Sequence, residues 1–368
     1  MDKKRKSIII TLTMATLLLV LSGWCIFKPA DEFSDTERRV LAQMPEISSE
    51  SIFSTTFMTE FEEYSLDQFP ARESFRKIKA FNEFNIFNKK DNNGIYFAEG
   101  YLSKIDHPIQ KDMLEYAEEK FRYLYDTYMK DKDNKIYLSV IPDKNMYLAE
   151  PNGYLSLDHE ELTGYFREKM DYAEYIDITG TLSYEDYYRT DTHWKQECIV
   201  ETANTLAEGL GVETDSDYDV NVLERPFYGV YAGQYTLPVE PDSIKYLTSE
   251  TLDECTVTIY DSGMPVESSV YDMEKAKGKD PYEIFMSGTV ALMTLENPSG
   301  PQDKELIVFR DSFGSSIVPL LAAGYGKITL VDIRYIQSAM LGSFIEFDDQ
   351  DVLFLYSTSL LNYSMALK

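Results

Sequence analysis

Ser7 to Phe27 is a run of 21 residues without a charge, preceded by Lys3-Lys-Arg-Lys6 and followed by Asp31, Glu32 and Asp35. A run of that length can cross a bilayer as one helix. The basic flank predicts a cytoplasmic N-terminus with the remainder of the chain outside. A cleaved signal peptide is the rival reading. No Ala-x-Ala site follows the run, and Leu21-Ser-Gly-Trp-Cys25 departs from a lipoprotein box at Trp24. Residues 1–27 are therefore expected to be a tip and an uncleaved signal anchor.

Two aromatic stripes come next. Phe53, Phe57, Phe61 and Tyr64 are spaced by four, four and three, and Phe75, Ile78, Phe81 and Phe84 repeat every three. Both patterns predict amphipathic helices, broken at Phe69-Pro70. We read residues 28–92 as a helical stem whose aromatic faces pack on the main domain. From residue 93 the rhythm changes. Asn92-Asn-Gly94 signals a tight turn, and Ile95–Phe97 with Tyr101–Ser103 suggest a hairpin. Met113, Ala117, Phe121, Leu124 and Tyr128 mark a helix, Lys135–Ile141 a strand, residues 158–170 a helix and Tyr175–Ile178 a short strand. Trp194, Ile199, Leu206 and Leu210 mark a helix closed by Gly211. Strands alternating with helices predict an α/β domain with a mostly parallel sheet over 93–368. Residues 212–304, rich in Tyr, Gly, Pro and Asp, break the alternation and read as an insertion with some β-structure. Strands resume at 306–309, 327–333 and 352–356.

Leu306 to Phe309 is a buried strand that runs into Asp311, Ser312 and Gly314, and then an apolar helical run from Ile317 to Ala323. A serine at a strand-to-helix turn sits beside free N–H groups that can hold an oxyanion. Serine is also a preferred helix N-cap, and on this stretch alone the cap is the favoured reading. Asp191 and His193 shift the balance. The chain has three histidines, at 107, 159 and 193. A serine nucleophile needs a base, and the base needs a group that fixes its tautomer. Two residues apart on an extended or turn backbone, Asp191 and His193 point to the same side. Taken with Asp-Ser-Phe-Gly, they favour a Ser312, His193, Asp191 triad.

Thr190-Asp-Thr-His-Trp194 together with Arg310-Asp-Ser-Phe-Gly314 resembles the DHHW proteins, which group with the SGNH-hydrolase-like proteins of alginate O-acetylation, the AlgX/AlgJ type. The resemblance runs from about Phe33 to the C-terminus. Phe33-Ser-Asp-Thr-Glu37 and Asp67-Gln-Phe-Pro-Ala-Arg72 resemble the segments that follow the anchor in these proteins. It implies a three-layer SGNH-like domain with permuted motif order: the strands near 136 and 175 and the Asp/His loop come first, and the serine strand with the strands near 328 and 352 comes last. Under that alignment Asn362 falls where the family's asparagine helps form the oxyanion hole. Arg334 and Tyr335 stand where a glycine is usual, and Arg310 replaces the glycine before Asp-Ser. Asn362, Arg334, Tyr335 and Asp311 are thus the oxyanion or substrate candidates. The implied activity is O-acyl transfer, most simply O-acetyl transfer, to a surface polysaccharide. A multispanning membrane O-acyltransferase is the implied partner. Ester hydrolysis, or a silent binding module in an envelope complex, are the alternatives.

Charge narrows the partners. The formal net charge is −28, and the part beyond residue 27 has 31 basic against 62 acidic residues. Such a surface disfavours nucleic acid and CoA phosphates. There is no Gly-rich phosphate loop, so no cofactor is expected. Cys25, Cys198 and Cys255 lack metal spacing, and a Cys198–Cys255 disulfide has no support in the sequence. Arg225, Tyr228, Tyr231, Tyr235 and Tyr246 could line a sugar-binding face, although ordinary packing suits each of them better.

Overall fold

The computed structural model describes residues 3–261 and 264–368. The chain divides into two compact units, residues 1–93 with 232–238, and residues 94–231 with 239–368.

The smaller unit opens with helix α1 (Lys3–Phe27), of which Lys4–Phe27 is long and apolar enough to cross a membrane. Helices α2 (Thr56–Asp67) and α3 (Arg72–Asn85) follow on either side of Pro70, as their stripes predict. Ion pairs fasten the chain around residues 37–42 to them. Arg39 grips Asp67 with two nitrogens, at 2.7 and 2.5 Å, and Glu37 takes Arg72 at 2.7 Å and Arg76 at 3.2 Å. The stripes are not core within this unit. Ala80 is the buried residue of α3, whereas Phe75, Ile78 and Phe81 are exposed. Phe84 packs on Tyr235, with ring centroids 5.1 Å apart.

The larger unit begins with the expected hairpin, β1 (Ile95–Ala98) and β2 (Tyr101–Lys104). The helix α4 (Lys111–Leu124), strand β3 (Lys135–Ile141), helix α5 (His159–Lys169), strand β4 (Glu174–Tyr175) and helix α6 (Val200–Leu210) follow. Gly211 closes α6 with φ +69°, a left-handed conformation that glycine adopts at little cost. After the separate ribbon β5 (Asp219–Phe227) with β6 (Asp242–Thr248) come β7 (Thr256–Ile259), β8 (Val266–Ser268), β9 (Leu292–Glu296), β10 (Glu305–Arg310), β11 (Lys327–Val331) and β12 (Asp351–Ser357).

One eight-stranded sheet forms the centre, in the order β8-β7-β9-β11-β10-β12-β3-β4. The five strands from β11 to β4 are parallel, and β9, β7 and β8 extend the sheet antiparallel beyond β11. The stretch 212–304 therefore supplies three strands of the sheet as well as loops. Period-two alternation divides the strand side chains. Leu306, Val308, Leu353 and Leu355 face α6 and the turns after residue 317, while Ile307, Phe309, Val352 and Phe354 face α4 and α5. Both faces of the sheet are covered, which gives the expected three-layer architecture and explains why these strands read as continuous apolar runs. Phe121 of α4 lies against Phe354 and Tyr356, with centroids 5.1 and 5.0 Å away. Burying a side chain of that size contributes about 1.5–3 kcal/mol.

Candidate active site

β10 delivers Ser312. All its residues from Leu306 to Arg310 are buried, so the chain leaves the sheet at a fixed point. The turn that follows is held by Asp311. One carboxylate oxygen accepts the Phe313 N–H (3.0 Å), and the other accepts the Ser357 N–H (2.9 Å) and hydroxyl (2.6 Å) at the end of β12. Asp311 is thus a fastener between two parallel strands, not a substrate contact. Gly314 is needed for space. A Cβ there would meet Cβ of Arg310 at 2.7 Å, because the buried arginine stem runs beneath the turn.

The apolar run after Ser312 makes a shorter helix than expected. Only Gly314–Ile317 is α-helical, and 318–324 is a 3-10 segment carrying Pro319, which lacks an N–H for the α pattern. Four residues sum to little macrodipole. Ser312 is not a cap either, because its Oγ lies 2.8 Å from Nε2 of His193. His193 Nδ1 is in turn 2.6 Å from Asp191 Oδ1. The structure therefore brings Ser312, His193 and Asp191 into one hydrogen-bonded chain across 119 residues of sequence. Asp191 is 1% exposed by residue, and the His193 side chain 12%, so the pair is shielded while the imidazole keeps an edge to solvent.

Backbone groups with no sequence signature hold Asp191. Its Oδ2 accepts the Val230 N–H at 2.8 Å. The approach is possible because residue 229 is glycine, where a Cβ would stand 2.3 Å from Asp191 Cβ and 2.4 Å from the Thr190 carbonyl oxygen. From below, Lys144 donates to the carbonyls of Tyr188 (2.8 Å) and Asp191 (2.5 Å). Lys144 is wholly buried, and burial pushes its ammonium down to about 8, against the pull of Asp143 and Asp191. Thr190, through its N–H and hydroxyl, is tied to Asp242 at 2.8 and 2.6 Å.

Trp194 and Gln196 bind the two halves of the site together. Trp194 Nε1 donates to Ser316 Oγ at 2.9 Å, and Gln196 donates to the Ser316 carbonyl at 2.8 Å. Tyr282, from the irregular stretch 212–304, lies flat on His193 with centroids 4.0 Å apart and 13° between planes. A tyrosine among many in that stretch carries no sequence signal.

The remaining candidates are engaged elsewhere. Asn362, expected as an oxyanion donor, is fully buried and spent. Its Oδ1 accepts the Gln110 N–H (2.7 Å), and its amide donates to Asp106 (2.7 Å) and the Pro108 carbonyl (3.1 Å). Both amide hydrogens are committed, so that expectation is corrected. Arg334 clasps Asp332 at 2.8 and 2.6 Å and lies over the half-exposed ring of Tyr335. Arg225 donates to the carbonyls of Ala276 and Gly278, Tyr246 packs on Tyr271, and Tyr231 is buried, while Tyr228 is exposed. Cys25, Cys198 and Cys255 are free thiols. No group of three or more His, Cys, Asp or Glu side chains among the described residues could hold a metal ion.

No protein-family model matches the chain, and no curated protein does. Solved structures do. A DHHW family protein from Eubacterium siraeum superimposes with a TM-score of 0.60 at 21% identity, covering 74% of this chain and 93% of that one. Bacillus cereus PatB1, solved with a sulfonyl adduct, gives 0.57 at 19% identity, covering 73% and 95%. The O-acetyltransferase domain of Pseudomonas putida AlgJ overlays more loosely, at 0.44 and 13% identity over 73% and 92%. About three quarters of the chain thus has the fold shared by the DHHW protein and PatB1, as the Asp-Thr-His-Trp and Asp-Ser-Phe motifs led us to expect.

Proposed function

We propose that this chain is a membrane-anchored, extracytoplasmic O-acyltransferase that moves an acetyl group onto a cell-surface polysaccharide. The observation that carries the reading is the Ser312–His193–Asp191 chain at 2.8 and 2.6 Å. In the first half-reaction Ser312 Oγ attacks the acyl carbonyl while His193 Nε2 takes its proton. The same proton passes to the departing alcohol, leaving an acyl-serine. In the second half a sugar hydroxyl gives its proton to His193 and attacks the acyl-serine, and Ser312 is regenerated as the sugar ester forms. Asp191 fixes the Nδ1–H tautomer and supports the transient imidazolium. The Ser312 N–H, which has no acceptor among the described residues, is available to the oxyanion.

The acetyl group and the sugar come from the motif resemblance, and the outward orientation from the basic flank of α1. An acidic exterior unit repels CoA phosphates, which favours acyl delivery by a multispanning membrane O-acyltransferase. The full chain in detergent should transfer acetyl from nitrophenyl acetate to an oligosaccharide and should not use acetyl-CoA. Ser312→Ala should abolish transfer and abolish labelling by a sulfonyl fluoride. If the protein only releases acetate whatever sugar is offered, it is an esterase. If Ser312→Ala still transfers, Ser312 is not the nucleophile.

A further inference from the structure

We propose that Tyr282 is a positioning residue of this site, clamping the His193 ring and favouring its protonated form through the face of the phenol; this rests on the triad reading above.

The clamp is built from both ends. Tyr282 sits on a short 3-10 turn, Pro281–Ile284, whose start is fixed by the Asp280 carboxylate accepting the Tyr282 N–H at 3.1 Å. Beyond it Met286, Ser287 and Gly288 are consecutively left-handed, with φ of +50°, +54° and +71°. Two non-glycine residues in that region need support from their surroundings. The Met286 N–H donates to the Val270 carbonyl, Ser287 donates to Asp272, and the Gly288 carbonyl faces Arg310. The segment cannot slide, so the ring cannot either.

The phenol end is tied down as well. The Ser316 hydroxyl accepts Trp194 Nε1 at 2.9 Å. It also lies 2.8 Å from the Tyr282 hydroxyl, with which it shares a hydrogen bond, and 3.3 Å from the Phe313 carbonyl. One buried hydroxyl, four residues after the nucleophile, therefore ties down the ring on His193 and the indole that follows His193 in the chain. The nucleophile turn and the base are held in a single frame.

The stack has an electrostatic consequence. An aromatic face stacks on a neutral imidazole and attracts a cation more strongly still. Acyl transfer makes His193 cationic at each transition state, so the ring stabilises that state more than the resting one. The other charged groups around the stack are Asp191 at Nδ1, Lys144 on the Asp191 carbonyl, and Asp311 and Asp280, which act on the Tyr282 ring. None of them changes when the ring is altered.

The test uses the full chain in detergent, carrying labelled histidine, with His193→Gln identifying the His193 signal among the three histidines. Imidazole NMR gives the His193 titration midpoint, and a fluorophosphonate gives the pH profile of Ser312 labelling. Tyr282→Phe keeps the face and should leave the midpoint within about 0.3 units of wild type. Pentafluorophenylalanine at 282 keeps the shape and removes the negative face. It should lower the midpoint by about 0.4–1.5 units and slow labelling about 2- to 30-fold. Tyr282→Leu should do the same. A midpoint unmoved by both replacements overturns the proposal. A wild-type protein that is not labelled at Ser312 overturns the triad reading instead, while the NMR titration still reads the stack.

Discussion

Gly229→Ala is a one-methyl change that should disable the site from outside it. The new Cβ would lie 2.3 Å from Asp191 Cβ and 2.4 Å from Asp191 Cα and the Thr190 carbonyl oxygen. Carbon pairs settle at about 3.5–4.0 Å, so the 229–230 peptide and Asp191 must part by about 1 Å. The Val230 N–H to Asp191 bond, now 2.8 Å, then passes out of range. A hydrogen bond to a charged group contributes about 1.5–3 kcal/mol. If all of it supports the imidazolium in the transition state, the rate falls about 10- to 150-fold. Fluorophosphonate labelling of Ser312 measures the rate, and thermal unfolding of the same samples shows how much of the loss is stability. In an Asp191→Ala background, Gly229→Ala should have little further effect on labelling, since the carboxylate held by Val230 is gone. Labelling of Gly229→Ala within twofold of wild type would refute the argument.

Three further outcomes follow from other parts of the molecule. Asp106 is buried against Asn362, and burial raises its carboxyl to about 6. A raised carboxylate stabilises the fold below its unfolded value, near 4, and that stability, about 3 kcal/mol, is lost as pH rises through 6. Unfolding followed from pH 4 to 7 should show this fall in wild type, and it should be absent in Asp106→Asn. Asp332 is buried between Arg310 (3.8 Å) and Arg334 (2.6 Å), so Asp332→Ala should cost about 3–5 kcal/mol in denaturant unfolding by leaving the fully buried Arg310 unpaired; a loss under 1 kcal/mol would mean the cluster adds no stability. For the anchor, the native mature N-terminus should precede residue 7, and protease added outside intact cells should digest everything past Phe27; a mature terminus near residue 30 would mean a cleaved signal.

The meeting of Ser312, His193 and Asp191 was legible because it is carried by side chains in two short motifs, and the parallel sheet because strands buried on both faces are written as unbroken apolar runs. What holds these three side chains was not legible. The Val230 N–H is a backbone group that any residue would supply, and only the glycine before it leaves a trace. Tyr282 lies where turns follow one another without periodicity, so nothing marks it apart from its neighbours. Asn362 shows the opposite failure. Its position in the order of strands is right for an oxyanion donor, yet both its amide hydrogens are taken by the loop at 106–108. The stripe on α3 has helical spacing, but spacing alone does not say which of its aromatic rings are covered.

The strand order carries a consequence for when the Ser312–His193 contact can form. β12 is the last strand in chain order, and it lies between β10 and β3. Without it the sheet separates into a piece ending at Ser312 and a piece leading to His193. Asp311 also loses its Ser357 partner, so the nucleophile turn slackens at the same moment. A nascent chain therefore keeps His193 and Ser312 apart until residues 351–357 have docked. The contact between the Ser312 hydroxyl and the His193 ring is therefore among the last that the fold can complete.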